Sequence, residues 1–257
     1  MSATNGDTLI EYKGLFKAFG KKRIYDGLDL AIRKGENITI IGGSGTGKSV
    51  LLKCLIGLLY PDRGEVMFEG EDVVTLDEDK LLEVRRKVAM VFQGAALFDS
   101  LSVGENIAYP LREQNPEMPE SEVQDRVSQQ LQRVNLAGIE NMKPSDLSGG
   151  MRKRVGLARA IATQPEVILW DEPTTGLDPI STRVIDELIV KMKTELGCTG
   201  VVVTHDMDSA FRVSDRIAML AHRKIVAQGT VAEMKASTHP DVRAFFDARL
   251  PWTARKK

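Results

Sequence analysis

The sequence predicts an α/β fold in which a parallel sheet is covered by helices. Four short apolar runs, each typical of a strand buried on both faces, alternate with stretches of helix formers that carry apolar residues three or four positions apart. The predicted strands are residues 38–41, 88–92, 167–170 and 201–204, and the predicted helices are residues 48–58, 150–163, 181–196 and 206–213. This alternation is the pattern of a sheet built from β-α-β units.

Two regions depart from this pattern. Near the N-terminus, Leu28, Leu30 and Ile32 alternate with more polar residues, which predicts half-exposed antiparallel strands. Between Gly94 and Thr163 the strand signal is lost, and an amphipathic helix is predicted instead. We therefore expect a core with an antiparallel subdomain, an inserted helical subdomain, and a C-terminal helix (241–249) with its tail. Their respective bounds are residues 8–93 with 164–238, residues 94–163, and residues 239–257.

Composition excludes several classes of protein. The 257 residues are 42% hydrophobic and 5% aromatic, as in a globular protein. The 35 Lys and Arg residues nearly balance the 36 Asp and Glu residues, so no overall basic field recruits nucleic acid or an anionic membrane. No secretory signal or membrane-spanning stretch is recognised, which favours a cytoplasmic protein. Cys54 and Cys198 form no metal-binding or disulfide pattern, and we expect buried thiols.

The strongest local signal is a glycine-rich loop between a predicted strand and a predicted helix. This phosphate loop matches G-x-x-x-x-G-K-[ST] and consists of Gly42, Gly43, Ser44, Gly45, Thr46, Gly47, Lys48 and Ser49. In such a loop, backbone N–H groups surround the β-phosphate, Lys48 reaches the β and γ oxygens, and the Ser49 hydroxyl ligates Mg²⁺. The sequence therefore predicts a nucleoside triphosphate site.

Two carboxylates end another predicted strand. Asp171 and Glu172 follow the apolar run 167–170, at the edge of the sheet where ligands bind in open α/β folds. Asp171 is expected to hold Mg²⁺ directly or through water, and Glu172 to activate the water that attacks the γ-phosphate. Such a pair alone is often a solvated strand end, but the phosphate loop favours the catalytic interpretation.

A third motif indicates the family. Ser148, Gly149 and Gly150 place a hydroxyl and amide groups at the start of a predicted helix, which is a second anion site. The run Leu147–Met151, which we call the signature loop, resembles the signature of ATP-binding-cassette (ABC) ATPases. The resemblance implies a P-loop NTPase (RecA-like) core with an antiparallel subdomain and a helical insertion. It also implies a head-to-tail homodimer, in which each ATP lies between one phosphate loop and the partner's signature loop.

The remaining family motifs follow in order, so that the resemblance covers residues 8–235. Phe19 matches the aromatic residue that stacks on adenine, and Asp178 matches the loop that contacts the other subunit. Gln93 matches the glutamine that touches Mg²⁺ and the attacking water, and His205 the histidine that bridges the γ-phosphate and the catalytic carboxylate. Each match is weak by itself. Together they imply an ATPase that uses ATP and Mg²⁺, with Glu172, His205 and Gln93 as catalytic residues.

A single cassette is most often the ATPase of a transporter. Chromosome-maintenance relatives carry long coiled coils and translation relatives carry two cassettes, and neither feature occurs in this sequence. The basic run Arg152, Lys153 and Arg154 is interpreted as a solvated helix face, so no nucleic-acid partner is expected. An ABC ATPase that acts on nucleic acid is the least favoured alternative.

The segment after Gln93 indicates which transporter. Residues 94–111 combine small and apolar side chains that could receive a permease helix, although internal packing of Leu97, Phe98 and Leu101 is an alternative. This segment and Met151 resemble the ATPases of Mla/Mce-type phospholipid transport systems. The resemblance implies an integral-membrane permease, a Mce-domain lipid-binding protein, a possible small regulatory subunit, and a location on the cytoplasmic face of the inner membrane. The ATPase of a small-solute importer is the alternative.

Overall fold

The computed structural model describes residues 8–247 of the chain. The strands are Thr8–Phe19 (β1), Lys22–Arg33 (β2), Asn37–Ile41 (β3), Arg63–Phe68 (β4), Glu71–Asp72 (β5), Val88–Val91 (β6), Val167–Asp171 (β7), Thr199–Thr204 (β8), Arg216–Ala221 (β9) and Lys224–Thr230 (β10). The helices are Lys48–Leu55 (α1), Glu78–Lys87 (α2), Val103–Gln114 (α3), Glu120–Arg133 (α4), Gly149–Ile161 (α5), Pro179–Leu196 (α6), Met207–Val213 (α7), Val231–Ala236 (α8) and Pro240–Asp247 (α9).

The described residues fall into two compact units. The first unit runs up to Leu81 and resumes at Val201, and the second unit is Leu82–Gly200. The first unit contains an antiparallel sheet of order β2-β1-β4-β5 and the strand series β10-β9-β3-β8. In that series, β3 pairs in parallel with β9, which pairs antiparallel with β10. The second unit contains the parallel pair β6 and β7, together with the helices α3 to α6.

The N-terminal strands confirm the predicted antiparallel subdomain. Tyr12 of β1 pairs with Leu30 of β2, and Ile10 pairs with Ile32. Leu28, Leu30 and Ile32 are all buried, because side chains two positions apart lie on one face of a strand. All five residues of β3 are buried as well, as expected for a central strand covered on both faces.

The second unit confirms the amphipathic helix. Val123, Val127 and Leu131 of α4 are fully buried, because they lie about one turn apart on a single helix face. Helix α3 begins with a capping box, in which Ser102 and Glu105 satisfy each other's backbone N–H groups. Pro110 lies inside α3. The buried apolar face of α3 and its capped start outweigh the loss of one helical hydrogen bond.

Several expected boundaries change in the structure. Helix α1 ends at Leu55 rather than at residue 58, and Gly57 follows with a positive φ of 64°. Helix α9 is present, but the predicted end at Arg249 and the tail to residue 257 lie outside the described residues. Cys54 and Cys198 are buried thiols, as predicted. Within residues 8–247, no helix is long and apolar enough to cross a membrane.

Gly64 in β4 provides a test of the antiparallel subdomain. Its φ is 95°, and an added Cβ would lie 2.5 Å from the carbonyl oxygens of Lys13 and Gly14. We expect Gly64→Ala to lower the free energy of unfolding by roughly 2–4 kcal/mol, from backbone strain and the clash together. Gly70→Ala is the matched control, because Gly70 has a φ of 85° with nothing within 4 Å of the added Cβ. Equal unfolding midpoints in urea for the two variants would contradict the expectation.

Candidate functional site

The phosphate loop joins β3 to α1 in a conformation that requires glycine. Gly45 and Gly47 have φ angles of 72° and 107°, in the left-handed region. An added Cβ at Gly42 would lie 2.4 Å from the carbonyl oxygen of Leu220, and one at Gly47 would lie 2.3 Å from Ile24. Gly43, Ser44 and Gly45 are exposed, whereas the loop's two ends are held closely by β9 and β2. The loop is therefore open at its middle and fixed at its ends.

Lys48 lies over the beginning of this loop. The ammonium group donates hydrogen bonds to the carbonyl oxygens of Gly42 and Gly43, at 3.0 and 3.1 Å, and the side chain is buried. Thr46 donates its hydroxyl proton to the Gly43 carbonyl oxygen at 2.9 Å. Ser49 is the second residue of α1, so its hydroxyl lies at the positive end of the helix. The arrangement suits a polyphosphate, and the individual roles of these residues stay predictions.

Tyr25 is a further contact of the phosphate loop that sequence analysis missed. Its hydroxyl donates a hydrogen bond of 2.6 Å to the carbonyl oxygen of Gly47. Burial raises the pKa of Tyr25, so the hydroxyl remains a proton donor. A second buried tyrosine, Tyr12, makes a similar bond of 3.0 Å to the carbonyl oxygen of Leu51, one turn further along α1. The two tyrosines fix the loop's end and the helix that follows it.

These two tyrosines give a matched pair of substitutions. We expect Tyr25→Phe to weaken ATP binding about fivefold, the equivalent of about 1 kcal/mol, because the loop loses its hydrogen bond at Gly47. Tyr12→Phe should lower the free energy of unfolding by a similar amount but leave the affinity for ATP unchanged. Equilibrium nucleotide titration and chemical unfolding measure the two effects. The same loss of affinity in both variants would show that Tyr25 has no specific role at the loop.

The predicted carboxylates lie at the end of β7. Asp171 is its last residue and is buried, and Glu172 follows with a φ of 50°, an unusual value for a non-glycine residue. Thr175 stabilises this conformation: its hydroxyl donates to Glu172 Oε2 at 3.0 Å, and its N–H donates to the Glu172 carbonyl oxygen at 3.3 Å. The Glu172 side chain is thereby held at the turn that leaves the strand.

The sequence suggested that the basic run after the signature loop is a solvated face, but only Arg152 is exposed, whereas Lys153 is buried and Arg154 partly buried. Lys153 is buried, and its ammonium group donates to the carbonyl oxygens of Pro173 and Thr175 at 2.8 and 2.7 Å. Arg154 donates to the carbonyl oxygens of Val134 and Asn135 beyond the end of α4. The helical spacing contained a signal for Lys153, because it shares a face of α5 with the buried residues three and four positions later.

The signature loop and Asp178 begin two helices that lie together. Ser148 is the N-cap of α5, and its hydroxyl oxygen accepts a bond from the N–H of Met151. Asp178 is the N-cap of α6, and bonds from Ser181 and Ile180 hold the pKa of its carboxyl below the usual range. Gly149 precedes Gly150 in the first turn of α5, where an added Cβ at Gly150 would lie 3.1 Å from Ser181 Oγ. Any larger residue at Gly150 would therefore push the Ser181 side chain of α6 aside by a few tenths of an ångström.

Gln93 follows β6 and is exposed at the start of a loop tied to α5. Ala95 and Ala96 both have positive φ angles, of 62° and 50°. Arg159 of α5 donates to their carbonyl oxygens, at 3.0 Å for Ala95 and 2.8 Å for Ala96. Sequence analysis missed Arg159, since nothing in a helix sequence indicates a bond to a loop 64 residues away.

Phe19 and His205 both lie in the first unit. Phe19 ends β1 with 47% of its surface exposed, and the ammonium group of Lys17 is 5.3 Å from its ring centroid. His205 is exposed between β8 and α7, whose N-cap is the next residue, Asp206. Both side chains are exposed at the ends of strands, and their roles toward adenine and the γ-phosphate stay predictions.

Comparison with known proteins identifies the family. The family model described as ABC transporter matches residues 25–175. The chain belongs to the ABC transporter ATPase family. The cassette is 39% identical over 239 residues to the intermembrane phospholipid transport ATP-binding protein MlaF of Escherichia coli, covering 93% of this chain and 88% of MlaF. It is 42% identical over 255 residues to the probable ribonucleotide transport ATP-binding protein mkl of Mycobacterium leprae, covering 97% and 73% of the two chains.

A solved structure shows the same fold. The dimeric structure of an ATP-binding cassette in a post-hydrolysis state, bound to ADP and Pi, matches with a TM-score of 0.80 and 34% identity. The match covers 87% of this chain and 99% of that cassette. These matches confirm the predicted fold class, with its antiparallel subdomain and helical insertion, and the assignment as an ABC ATPase of the Mla type. This cassette is an ATPase.

Proposed function

We propose that this cassette hydrolyses ATP to power phospholipid transport through an Mla/Mce-type permease complex. The observation that supports the substrate is its 39% identity to MlaF, named for intermembrane phospholipid transport, over 88% of that protein's length. Met151 in the signature loop and the segment that follows Gln93 agree with this assignment. The ATPase itself is the general property of the family, and the phospholipid is the specific proposal.

In this proposal, Phe19 stacks on adenine and the phosphate loop binds the phosphates. The left-handed glycines and exposed loop centre fit a polyphosphate, and Lys48 adds positive charge. Ser49, Gln93 and Asp171 are the proposed ligands of Mg²⁺, and their hydroxyl, amide and carboxylate oxygens are the hard donors that this ion prefers. When bound, Mg²⁺ neutralises charge that develops on the phosphate oxygens.

Hydrolysis is proposed to proceed by in-line attack of water on the γ-phosphate. Glu172 takes the proton of that water as general base, while Gln93 and His205 keep the water and the γ-phosphate in line. A second copy of the chain supplies Ser148 with the amides of Gly149 and Gly150 to the same ATP, because their helix N-terminus attracts anions. The homodimer thus closes on two ATP molecules and opens after hydrolysis.

The permease is proposed to dock on the segment that leads into α3. Phe98 and Tyr109 each expose 44% of their surface, and their rings contact each other with centroids 5.1 Å apart. Asn106 fixes the backbone beneath them, since its side chain bonds both the N–H and the carbonyl oxygen of Phe98. A rigid, exposed aromatic pair is a typical anchor for a partner helix.

The cassette would then be peripheral on the cytoplasmic face of the inner membrane, with an Mce-domain protein as a further partner and a small regulatory subunit as a possible one.

A second candidate is a transporter of small polar solutes. The 42% identity to mkl, named for probable ribonucleotide transport, favours this alternative. The nucleotide chemistry is the same in both candidates, because the transported molecule meets the permease and not the ATPase. Only the membrane proteins that associate with the cassette, and the molecule that they transport, distinguish the two candidate functions.

The experiment that tests the function is purification of the tagged cassette from gently solubilised native membranes, with mass spectrometry of proteins and lipids. We expect an integral-membrane permease, an Mce-domain protein and bound phospholipid to co-purify. A solute permease without phospholipid would favour the second candidate, and the absence of any membrane protein would contradict both.

Variants define the docking surface in the same experiment. Phe98→Ser with Tyr109→Ser should abolish recovery of the permease but leave the nucleotide affinity of the isolated cassette unchanged. Leu58→Ser is the matched control, since Leu58 is a large apolar residue with 52% of its surface exposed in the first unit. Loss of the permease with the Leu58 variant alone would place the interface elsewhere.

A further inference from the structure

Lys153 connects α5, the helix that begins in the signature loop, to the loop that follows Glu172. The side chain leaves α5 five residues after Ser148, and the ammonium group reaches the carbonyl oxygens of Pro173 and Thr175. Both bonds are shorter than 2.9 Å, and the side chain is 9% exposed. Because a lysine directs all its N–H bonds from one point, it holds the two carbonyl groups at a fixed separation.

The contact continues from that loop to Glu172. Thr175, whose carbonyl oxygen accepts a bond from Lys153, donates its hydroxyl proton to Glu172 Oε2 at 3.0 Å. The N–H of the same threonine donates to the Glu172 carbonyl oxygen at 3.3 Å. Two successive polar contacts, from Lys153 to Thr175 and from Thr175 to Glu172, thus connect α5 to the carboxylate that the proposed function treats as general base.

Glu172 depends on this support because of its backbone. Its φ of 50° lies in the left-handed region, which costs a non-glycine residue about 1–3 kcal/mol unless its surroundings stabilise it. A loop free to relax would rotate the peptide of Glu172 and move the carboxylate with it. The bonds from Thr175 and Lys153 oppose that relaxation.

Burying the ammonium group of Lys153 costs free energy, which argues against a role limited to filling space. Burial lowers the pKa of Lys153, and the nearby Glu172 carboxylate opposes that change. An apolar side chain of similar length would fill the same space without removing a charge from water. The charged group has an advantage over an apolar one only if the carbonyl groups of Pro173 and Thr175 must be held in fixed positions.

We propose that Lys153 is a positioning residue for ATP hydrolysis, which orients Glu172 from the signature helix through the Pro173–Thr175 loop. This inference rests on the proposed role of Glu172 as general base. It makes α5 the element that relates the signature loop at one end to the orientation of the catalytic carboxylate. Lys153 acts in this proposal through its bonds to the carbonyl oxygens of Pro173 and Thr175.

The test compares steady-state ATP hydrolysis by the full chain and its variants. Lys153→Met should lower kcat about 10- to 100-fold, because small displacements of a catalytic group have effects of this size, while KM for ATP changes less than about twofold. Lys153→Arg should recover much of kcat, since a guanidinium can also donate to two carbonyl oxygens. Arg154→Met is the matched control, because it removes a cation that binds carbonyl groups beyond α4 instead. We expect wild-type kcat and KM for this control.

Thr175→Val keeps the inference testable if Lys153→Met does not fold. This variant removes only the hydroxyl bond to Glu172 and should reproduce the selective loss of kcat in a protein that remains folded. The double variant of Lys153→Met and Thr175→Val should lose less kcat than the product of the two single-variant fold losses, as expected for residues that act along one path. Wild-type kcat in Thr175→Val and in a folded Lys153→Met would overturn the inference. If Glu172→Gln also hydrolyses ATP normally, the assignment of the general base fails instead.

Discussion

Glu172→Gln should bind ATP with wild-type affinity and hydrolyse it about 10²- to 10⁴-fold more slowly, the usual contribution of a general base. Glutamine keeps the size of the side chain and can still accept the bond from Thr175, but it cannot take a proton from water. The closed dimer should therefore accumulate with ATP bound. Single-turnover hydrolysis and size-exclusion chromatography with ATP measure the two effects.

Glu166→Gln is a suitable control for this substitution. Glu166 lies just before β7 in the same unit, and its side chain is 4.0 Å from the ammonium group of Lys87 in an exposed ion pair. Such pairs contribute little to stability, so this variant should hydrolyse ATP at the wild-type rate. Normal turnover by Glu172→Gln would remove Glu172 as the base.

Lys48→Ala should weaken ATP binding about 10- to 100-fold, since a charge-assisted hydrogen bond to phosphate contributes roughly 1.5–3 kcal/mol. The same substitution removes the bonds to Gly42 and Gly43, so the start of the phosphate loop is also less well ordered. Isothermal titration with ATP measures the affinity. The effect should fall on binding itself, in contrast to the effect of Glu172→Gln.

Lys53→Ala provides the matched control on the same helix. Lys53 lies in the last turn of α1 and caps the helix through its backbone, where its carbonyl oxygen accepts from Leu58 and Leu59. Removing its side chain takes away the same charge about 7–8 Å along the helix from Lys48. Equal losses of affinity in the two variants would mean that α1 contributes through its overall charge and that Lys48 has no specific role.

The regular parts of the fold were predictable because their signals are local. Apolar runs indicated β3, β7 and β8, and the phosphate loop follows from the spacing of its glycines and the Lys48-Ser49 pair. The hairpin of β9 and β10 was missed. Its turn residues, His222 and Arg223, both have positive φ, a conformation that glycine and asparagine usually mark. Without those residues, the sequence carried no turn signal.

The supporting contacts of the site were less predictable. The bond from Tyr25 to Gly47 joins residues 22 positions apart, and the bonds from Lys153 span about as far along the chain. The sequence shows where a tyrosine or a lysine stands in the chain, but it does not show which carbonyl oxygen that side chain bonds. The division into residues 8–93 with 164–238 and an insertion of residues 94–163 stays a prediction, as do the individual roles of the site residues.

Ala95 and Ala96, in the loop between β6 and α3, have an unusual backbone conformation. A left-handed alanine is disfavoured by about 1–2 kcal/mol, and the bonds that Arg159 donates to the carbonyl oxygens of Ala95 and Ala96 help to hold both residues in that conformation. Loss of the guanidinium should therefore favour a change of these two residues toward an extended backbone. A single side chain of α5 thus helps to set the backbone conformation of the loop that connects Gln93 to α3, although the two lie far apart in the sequence.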